Sequence, residues 1–338
     1  MRASTARLTN TSVRLADLTF PQASRLIHRT RLAFVHLDNV LSFGKRDREG
    51  RVDGYIAAYL PEQVLLVFFR KGEAVNAASL HTTGRDVITI NHALRRMREE
   101  VERGELTYAA APMEQLAWMY ESCAGRLAPR PVDAHHPEGF FPVLQKERVT
   151  GIVELISDGR VSYLRFDDGK FAGGYFCDRL DATPVPQYIA SQFKAGTDGA
   201  HPALSAGVFP LVAELPAQAP AALINTYREL YWRVVDAVEL ETPGEAKKRA
   251  ARIAKGLAEA HKALSLLAAP RGVDTPDAVV RPDELAAALT DWALQLLESV
   301  EVIMPGTAPK ILKDATKEHR YVLQAAGFYD RMPWRVAW

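Results

Sequence analysis

The chain has 338 residues, of which 48% are apolar and 25% charged, and its formal net charge is +1. These values are typical of globular proteins and exclude a wholly disordered chain, and the length predicts two or three domains. No apolar run approaches the roughly 18 to 20 residues of a membrane span. The chain has two cysteines, Cys123 and Cys177, which are too few for a disulfide framework. They predict buried thiols in a reducing, cytoplasmic compartment.

Residues 1–36 are predicted to form a basic N-terminal arm, either free or docked on the rest of the chain. The stretch 1–52 carries ten Lys and Arg against four Asp and Glu. Such an excess can contact phosphate groups or an acidic partner. A solvated basic surface is the simpler interpretation.

An internal repeat follows the arm. Residues 53–80 align without a gap with residues 150–177, and both segments are predicted to form three strands joined by tight turns. The identical positions are Gly54/Gly151, Val64/Val161, Phe69/Phe166 and Gly72/Gly169. Gly72 and Gly169 are predicted to adopt positive φ in turns, because a residue without Cβ accepts that conformation cheaply.

Each strand triple is followed by a helix, a strand and a second helix, which predicts a small antiparallel sheet with a helical cover. The fold class is therefore predicted as α+β, with two tandem small antiparallel-sheet/helix units followed by an all-α C-terminal helical bundle. The predicted boundaries are 37–127 for the first unit, 128–142 for a Pro-rich linker, 143–240 for the second unit and 241–338 for the bundle. Within the bundle, the apolar periodicity predicts one long helix from about residue 245 to 269 and two more beyond it.

Sequence motifs for catalysis and cofactor binding are lacking: there is no P-loop, no GxGxxG after a strand, no GxSxG and no CxxC. The candidate metal ligands are Asp133, His135, His136 and Glu138, since imidazole and carboxylate groups bind zinc and related ions. A solvated loop is the preferred interpretation of this cluster, so we predict no metal and no cofactor. His319 is expected to be a hydrogen-bonded interior histidine.

Aromatic and arginine side chains come together at Arg228, Tyr231 and Trp232, which form a candidate interface. These residue types anchor protein interfaces and also stack on nucleic-acid bases. Helical spacing predicts that much of this segment is core, with Arg228 and Tyr231 as its more exposed members.

The strand triples resemble PATAN-type bacterial signalling domains. In the second copy the matching residues are Thr150, Gly151, Val153, Leu155, Phe166, Asp168, Gly169, Lys170 and Ala172. In the first copy Gly54, Phe69, Gly72, Ala77 and Ala78 match, whereas the turn at 70–73 departs from the acidic pattern. The resemblance covers about residues 35–240 as two copies, and it implies a non-catalytic module that binds proteins and supplies no catalytic residues.

The sequence therefore predicts a cytoplasmic, non-catalytic signalling or regulatory adaptor that binds a protein partner or itself, in motility or two-component-linked regulation. Two alternatives remain open. One is a nucleic-acid-binding protein that uses the arm and the basic helix at 245–262. The other is an enzyme whose site is assembled across the repeats.

Overall fold

A computed structural model describes residues 5–8, 11–46, 52–125, 127–136, 139–197, 199–273, 277–336 and 338. The chain divides into two compact units, Met1–Pro216 and Ala217–Trp338. The first unit contains two antiparallel sheets, of six and five strands, with helices, and the second is helical in its described part. The predicted α+β class with C-terminal helices is confirmed at this level.

Thirteen strands lie in the described part of the first unit. They are β1 Thr5–Leu8, β2 Thr11–Arg14, β3 Ser24–Arg31, β4 Gly54–Tyr59, β5 Gln63–Arg70, β6 Glu73–His81, β7 Gly84–Ile88, β8 Glu105–Ala110, β9 Ala128–Arg130, β10 Gly151–Ser157, β11 Arg160–Asp167, β12 Lys170–Tyr175 and β13 Leu204–Phe209. Its helices are α1 Leu37–Arg46, α2 Ile90–Glu99, α3 Met113–Glu121, α4 Phe140–Lys146 and α5 Val185–Ser191. Strands β1 and β2 form a separate hairpin.

The two large sheets have matching strand orders. The first runs β3-β8-β4-β5-β6-β7 and the second runs β9-β13-β10-β11-β12, so the second lacks only a counterpart of β7. Gly54 pairs with Phe69 and Gly151 with Phe166. Both β5 and β11 also shift register at the same place, immediately before Phe69 and Phe166.

The second turn of each strand triple has the same backbone conformation. Lys71 and Gly72 have φ of 51° and 77°, and Asp168 and Gly169 have φ of 52° and 75°. Two successive positive values define the type I′ turn that suits the twist of a hairpin. The predicted positive φ at both glycines is confirmed, and Gly169 N donates to Val149 O at 2.8 Å just as Gly72 N donates to Val52 O.

The central strands are buried on both faces, which explains their unbroken apolar sequences. One apolar layer, which includes Tyr55, Ile152 and helix α3, lies between the sheets. The outer face of the first sheet packs on α1 and α2, and that of the second sheet packs on α4 through Phe140.

The described part of the predicted arm belongs to this fold, so the boundary at residue 36 is wrong. Leu15 and Leu18 are buried in the layer between the sheets. Thr19 N donates to Gly159 O at 2.9 Å, and strand β3 completes the first sheet. Burial of apolar side chains holds this segment in place, whatever its net charge.

The second unit contains helices α6 Ala221–Glu241, α7 Ala246–Gly256, α8 Leu264–Leu267, α9 Pro282–Glu301, α10 Ala308–Thr316 and α11 Arg320–Ala325. The boundary predicted at residue 240 is wrong, because α6 packs into the apolar core of these helices. The single helix predicted over 245–269 is also wrong, because the chain turns after Gly256.

Helices α6 and α9 end in the same sequence, Glu-x-x-x-Pro-Gly-x-Ala, at Glu239 and Glu301. Glu239 accepts the N–H groups of Gly244 and Ala246, and Glu301 accepts those of Gly306 and Ala308. When the two helices are aligned with an offset of 62 residues, each of the eight buried residues of α6 corresponds to a buried residue of α9. The chain thus contains a second internal similarity, between α6 and α9, that the predictions from sequence do not include.

Candidate functional site

The strongest candidate site is an apolar groove on the outer face of the second sheet, with a volume of about 700 Å³. We define the aromatic groove by the residues that line it along its length: Phe141, Phe166, Lys170, Phe171, Ile189 and Phe193. Ligand sites are typically concave and mostly apolar with few polar groups. Lys170 supplies the only charge in the lining.

Four elements position the aromatic rings: β11, α4, α5 and β12. Phe166 lies on β11 and is 3% exposed, and its ring stacks on Phe141 of α4 with 6.3 Å between centroids. Phe193 follows α5 and contacts Phe141 edge-on at 6.0 Å. Phe171 lies on β12, contacts Phe166 at 6.0 Å and keeps 43% of its surface exposed. The floor of the groove is therefore rigid core, whereas Phe171 forms an accessible wall.

The positions of the first sheet that correspond to Phe171 and to the helices beside it carry different residues. Ala74, which stands where the second sheet has Phe171, packs partly buried against the outer core of the first sheet. Helix α2 buries Ala93 and Met97 in that core. The helices α4 and α5 have only seven residues each, against ten in α1 and α2, and they leave part of the second sheet uncovered.

Strand β12 borders the groove and is the terminal strand of its sheet. Its first three residues are exposed. Gly173 has φ of 146° and has open space where a Cβ would stand. The corresponding strand of the first sheet, β6, is covered by β7. An exposed edge strand presents backbone donors and acceptors that can pair with another chain.

The ionic groups near the groove leave its lysines available. Asp168 binds Arg148 at 2.5 Å, and this hydrogen bond lowers the pKa of Asp168. Asp167 binds Arg165 at 3.1 Å. Lys146, Lys170 and Lys194 are exposed. The charge of Lys170 also contributes to lowering the pKa of Asp168. The surroundings of the groove therefore favour a negatively charged ligand.

A second feature of the first unit is a buried ion pair between the sheets. Arg85 of β7 donates to both carboxylate oxygens of Glu154 of β10, at 2.6 and 2.8 Å, and to Ser122 O. The two side chains are only 8% and 2% exposed. Burial lowers the pKa of Arg85, but the Glu154 carboxylate more than offsets this and keeps the guanidinium charged. The pair therefore links strands of the two sheets inside the first unit.

Both cysteines are buried, as the sequence predicts. Burial raises the pKa of Cys123 to about 11 and that of Cys177 to about 12. Cys177 Sγ lies 3.2 Å from Thr19 Oγ1. A thiolate is the reactive form of cysteine, and these surroundings disfavour it.

We therefore expect iodoacetamide at pH 7.5 to leave the native protein unmodified for an hour, and to modify both cysteines in urea. Intact mass spectrometry measures the number of added groups. Rapid alkylation of native Cys177 would indicate a reactive thiol and would favour the enzyme alternative.

The predicted metal candidates lie in the loop before α4. Asp133 Oδ1 accepts the backbone N–H of His135 at 2.8 Å, and the His135 ring packs on His201 with 4.0 Å between centroids. Asp133 and His136 line a cleft of about 720 Å³, whereas Glu138 lies outside the described residues. In the described part of the loop, three ligand atoms do not converge.

Three potential ligands do converge in the second unit, at Glu229, Glu318 and His319. Arg233 Nη2 lies 2.6 Å from a carboxylate oxygen of each glutamate. His319 Nε2 lies 3.6 Å from Glu229. The Arg233 guanidinium already contacts both carboxylates, so this cluster is a surface ion-pair network around a half-buried histidine.

The prediction of an interface at Arg228, Tyr231 and Trp232 is wrong, because these side chains lie in or against the core of the second unit. Tyr231 is 2% exposed and stacks on Trp292 at 3.9 Å. Arg228 is 7% exposed and donates to Pro270 O and Val273 O at 3.1 Å. Trp232 Nε1 donates to Ala269 O at 2.9 Å. The guanidinium of Arg228 and the indole N–H of Trp232 thus donate to loop carbonyls of the same unit.

Within the part of the chain that the structure covers, no helix combines the length and apolar character that crossing a bilayer requires. Comparison with protein-family models, with curated proteins and with solved structures gives no significant match to this chain. The groove, the edge strand and their charges are therefore the basis for a functional proposal.

Proposed function

We propose that this protein is a non-catalytic, cytoplasmic bacterial adaptor of signalling or motility that acts by binding another protein. In this proposal the two sheets are tandem copies of one PATAN-like α+β unit, and the helices of Ala217–Trp338 form the C-terminal bundle. The matching strand orders, register shifts and turns of the two sheets support a duplication. Divergence of one copy then explains a groove in the second sheet alone.

The observation that carries the proposal is the aromatic groove with its accessible wall at Phe171. A partly exposed aromatic side chain beside a rigid apolar floor is the kind of anchor that dominates binding energy at protein interfaces. Buried thiols and paired carboxylates in the described part of the first unit offer no activated nucleophile beside it. Binding is therefore the activity that this geometry supports best.

The test is affinity purification from the native host with the wild-type protein and with Phe171→Asp. We expect the wild-type chain to retain a protein partner at both 50 and 500 mM salt, on the order of the range over which phosphate contacts weaken. We expect Phe171→Asp to lose that partner. The control is Phe34→Asp, because Phe34 is also exposed, at 79%, but lies far from the groove in sequence. A partner set that is the same for all three chains would contradict the proposal.

The second candidate function is nucleic-acid binding, and the excess of Lys and Arg in residues 1–52 favours it. We expect only weak binding to duplex DNA at physiological salt, because net charge is near zero and Arg14 is paired with Asp17 at 2.5 Å. Binding measured across a salt series gives the number of phosphate contacts, since each neutralised phosphate releases counterions. Tight, steeply salt-dependent binding that Arg2→Ala, Arg7→Ala and Arg14→Ala abolish would favour nucleic acid over a protein partner.

A further inference from the structure

We propose that β12 accepts an extended, acidic segment of the partner protein as an additional strand of the second sheet. Apolar side chains of that segment lie in the aromatic groove, and its carboxylates lie beside the lysines. This inference rests on the proposed function, because it specifies the chemistry of the segment that the adaptor binds.

The edge of the sheet is open where the strand would be added. In the described chain β12 has one ladder partner, β11, and residues 170–172 are exposed. In the first sheet β7 pairs with the second half of the corresponding strand, from Ala77↔Ile88 to His81↔Gly84, which aligns with residues 174–178 of the second copy. The first sheet thus adds one strand beyond β6, and in our proposal a partner segment adds one beyond β12, along the exposed residues 170–172.

The groove determines the side chains that the added strand carries. Successive residues of a strand point to opposite faces, so every second residue of the partner segment faces the groove. The lining there is aromatic and aliphatic, with Phe171 as the wall nearest the edge. Main-chain hydrogen bonds then provide affinity, and the groove selects apolar residues at alternate positions.

Charge determines what accompanies those apolar residues. Lys170 lies in the groove, and Lys146 and Lys194 directly follow lining residues in the sequence. The nearby Asp167 and Asp168 are balanced by Arg165 and Arg148. The first sheet carries Glu73 at the position of Lys170, so the sign of the charge at this strand position differs between the two copies. Complementary carboxylates on the partner segment would speed association and fix its orientation.

The test uses the full-length protein and a fluorescent eight-residue peptide of alternating Glu and Val, with blocked termini, in an anisotropy titration. We expect saturable binding, and binding about tenfold weaker or worse when Lys replaces Glu in the peptide. Two further peptides carry methyl groups on alternate backbone nitrogens, one on each of the two alternating sets. Only one of them should lose binding, because only one set of N–H groups pairs with β12.

Two variants of the protein complete the test, and both copy the first sheet. Phe171→Ala and Lys170→Glu introduce the residues found at Ala74 and Glu73, so each is compatible with this strand and turn. Each should weaken peptide binding about tenfold, whereas the matched control Glu73→Lys should not change it. Circular dichroism confirms that the variants are folded.

Three results would overturn the inference. Equal binding of both N-methylated peptides would show that the groove holds side chains without strand addition. Binding of the Lys peptide in preference to the Glu peptide would contradict the charge argument. Concentration-dependent self-association that Phe171→Ala abolishes, without peptide binding, would identify a second copy of the chain as the occupant. If Phe171→Asp still loses a captured protein in each case, the proposed function stands and only the mode of binding is wrong.

Discussion

Replacing Arg85 with Met is expected to destabilise the first unit by about 3 to 5 kcal/mol, the largest loss we expect from a single side chain. The substitution leaves the Glu154 carboxylate, which is 2% exposed, without its bidentate partner. It also removes the donor to Ser122 O at the end of α3. A buried charge without a partner retains its desolvation cost and loses the attraction that offset it.

Urea unfolding measures this loss, and two further variants identify its cause. Arg85→Met combined with Glu154→Leu should recover most of the stability, because an apolar pair of similar volume carries no buried charge. Arg148→Met removes one member of an exposed pair with Asp168, whose side chains are 75% and 56% exposed, and should leave the unfolding midpoint nearly unchanged. If Arg85→Met left the unfolding midpoint as unchanged as Arg148→Met does, the ion pair between Arg85 and Glu154 would not stabilise the packing of the two sheets.

Replacing Gly54 or Gly151 with Val should cost about 3 kcal/mol or more, through overpacking against a neighbouring strand. A Cβ at Gly54 would overlap the carbonyl oxygen of Ala109 on β8. A Cβ at Gly151 would lie 2.7 Å from the carbonyl oxygen of Phe209 on β13, and the φ of this residue is 150°. Backbone atoms cannot move aside as flexible side chains do, so the strand pairing itself must open.

The control for these substitutions is Gly139→Ala, because Gly139 has open space around a Cβ and an ordinary φ of −78°. We expect it to change the free energy of unfolding by less than about 1 kcal/mol. Equal changes in the free energy of unfolding at Gly54, Gly151 and Gly139 would contradict this explanation. The shared glycines of the repeat would then not be required by the close approach of a neighbouring strand.

The strand triples could be predicted because their signals are local. A turn such as Lys71-Gly72 or Asp168-Gly169 is specified by two neighbouring residues, and its glycine has the expected positive φ. The boundary predicted at residue 36 failed for the opposite reason. Leu15 and Leu18 are buried by contacts with distant strands, and the basic residues around them gave no sign of it.

The prediction for α6 failed because helical spacing does not identify the packing partner. The periodicity of Tyr227 and Leu230 indicates one buried face, but the residues on the other face, including Arg228, are buried as well. The neighbouring loop at 269–273 covers them. The repeated Glu-x-x-x-Pro-Gly-x-Ala sequence was the available signal, since it aligns α6 with α9 and so with the C-terminal helices.

The aromatic groove could be predicted only in part. Phe166 and Lys170 were identified through the repeat, but Phe141, Ile189 and Phe193 come from helices whose positions on the sheet the sequence does not specify. A direct comparison of Ala74 with Phe171 would have provided one clue. An exposed phenylalanine in place of a small residue changes the surface of one copy and leaves the strand pairing intact.

Hydrogen–deuterium exchange of the protein in complex with the partner it captures is the most direct test of the central claim that the second sheet binds another protein. We predict slower exchange in residues 140–146, 166–175 and 185–193, since these segments line the groove and its edge. The amides of β12 should show the largest change, because they gain hydrogen bonds to the added strand. Protection confined to residues 217–338, with exchange at β12 unchanged, would place the binding surface on the helical unit and contradict this account.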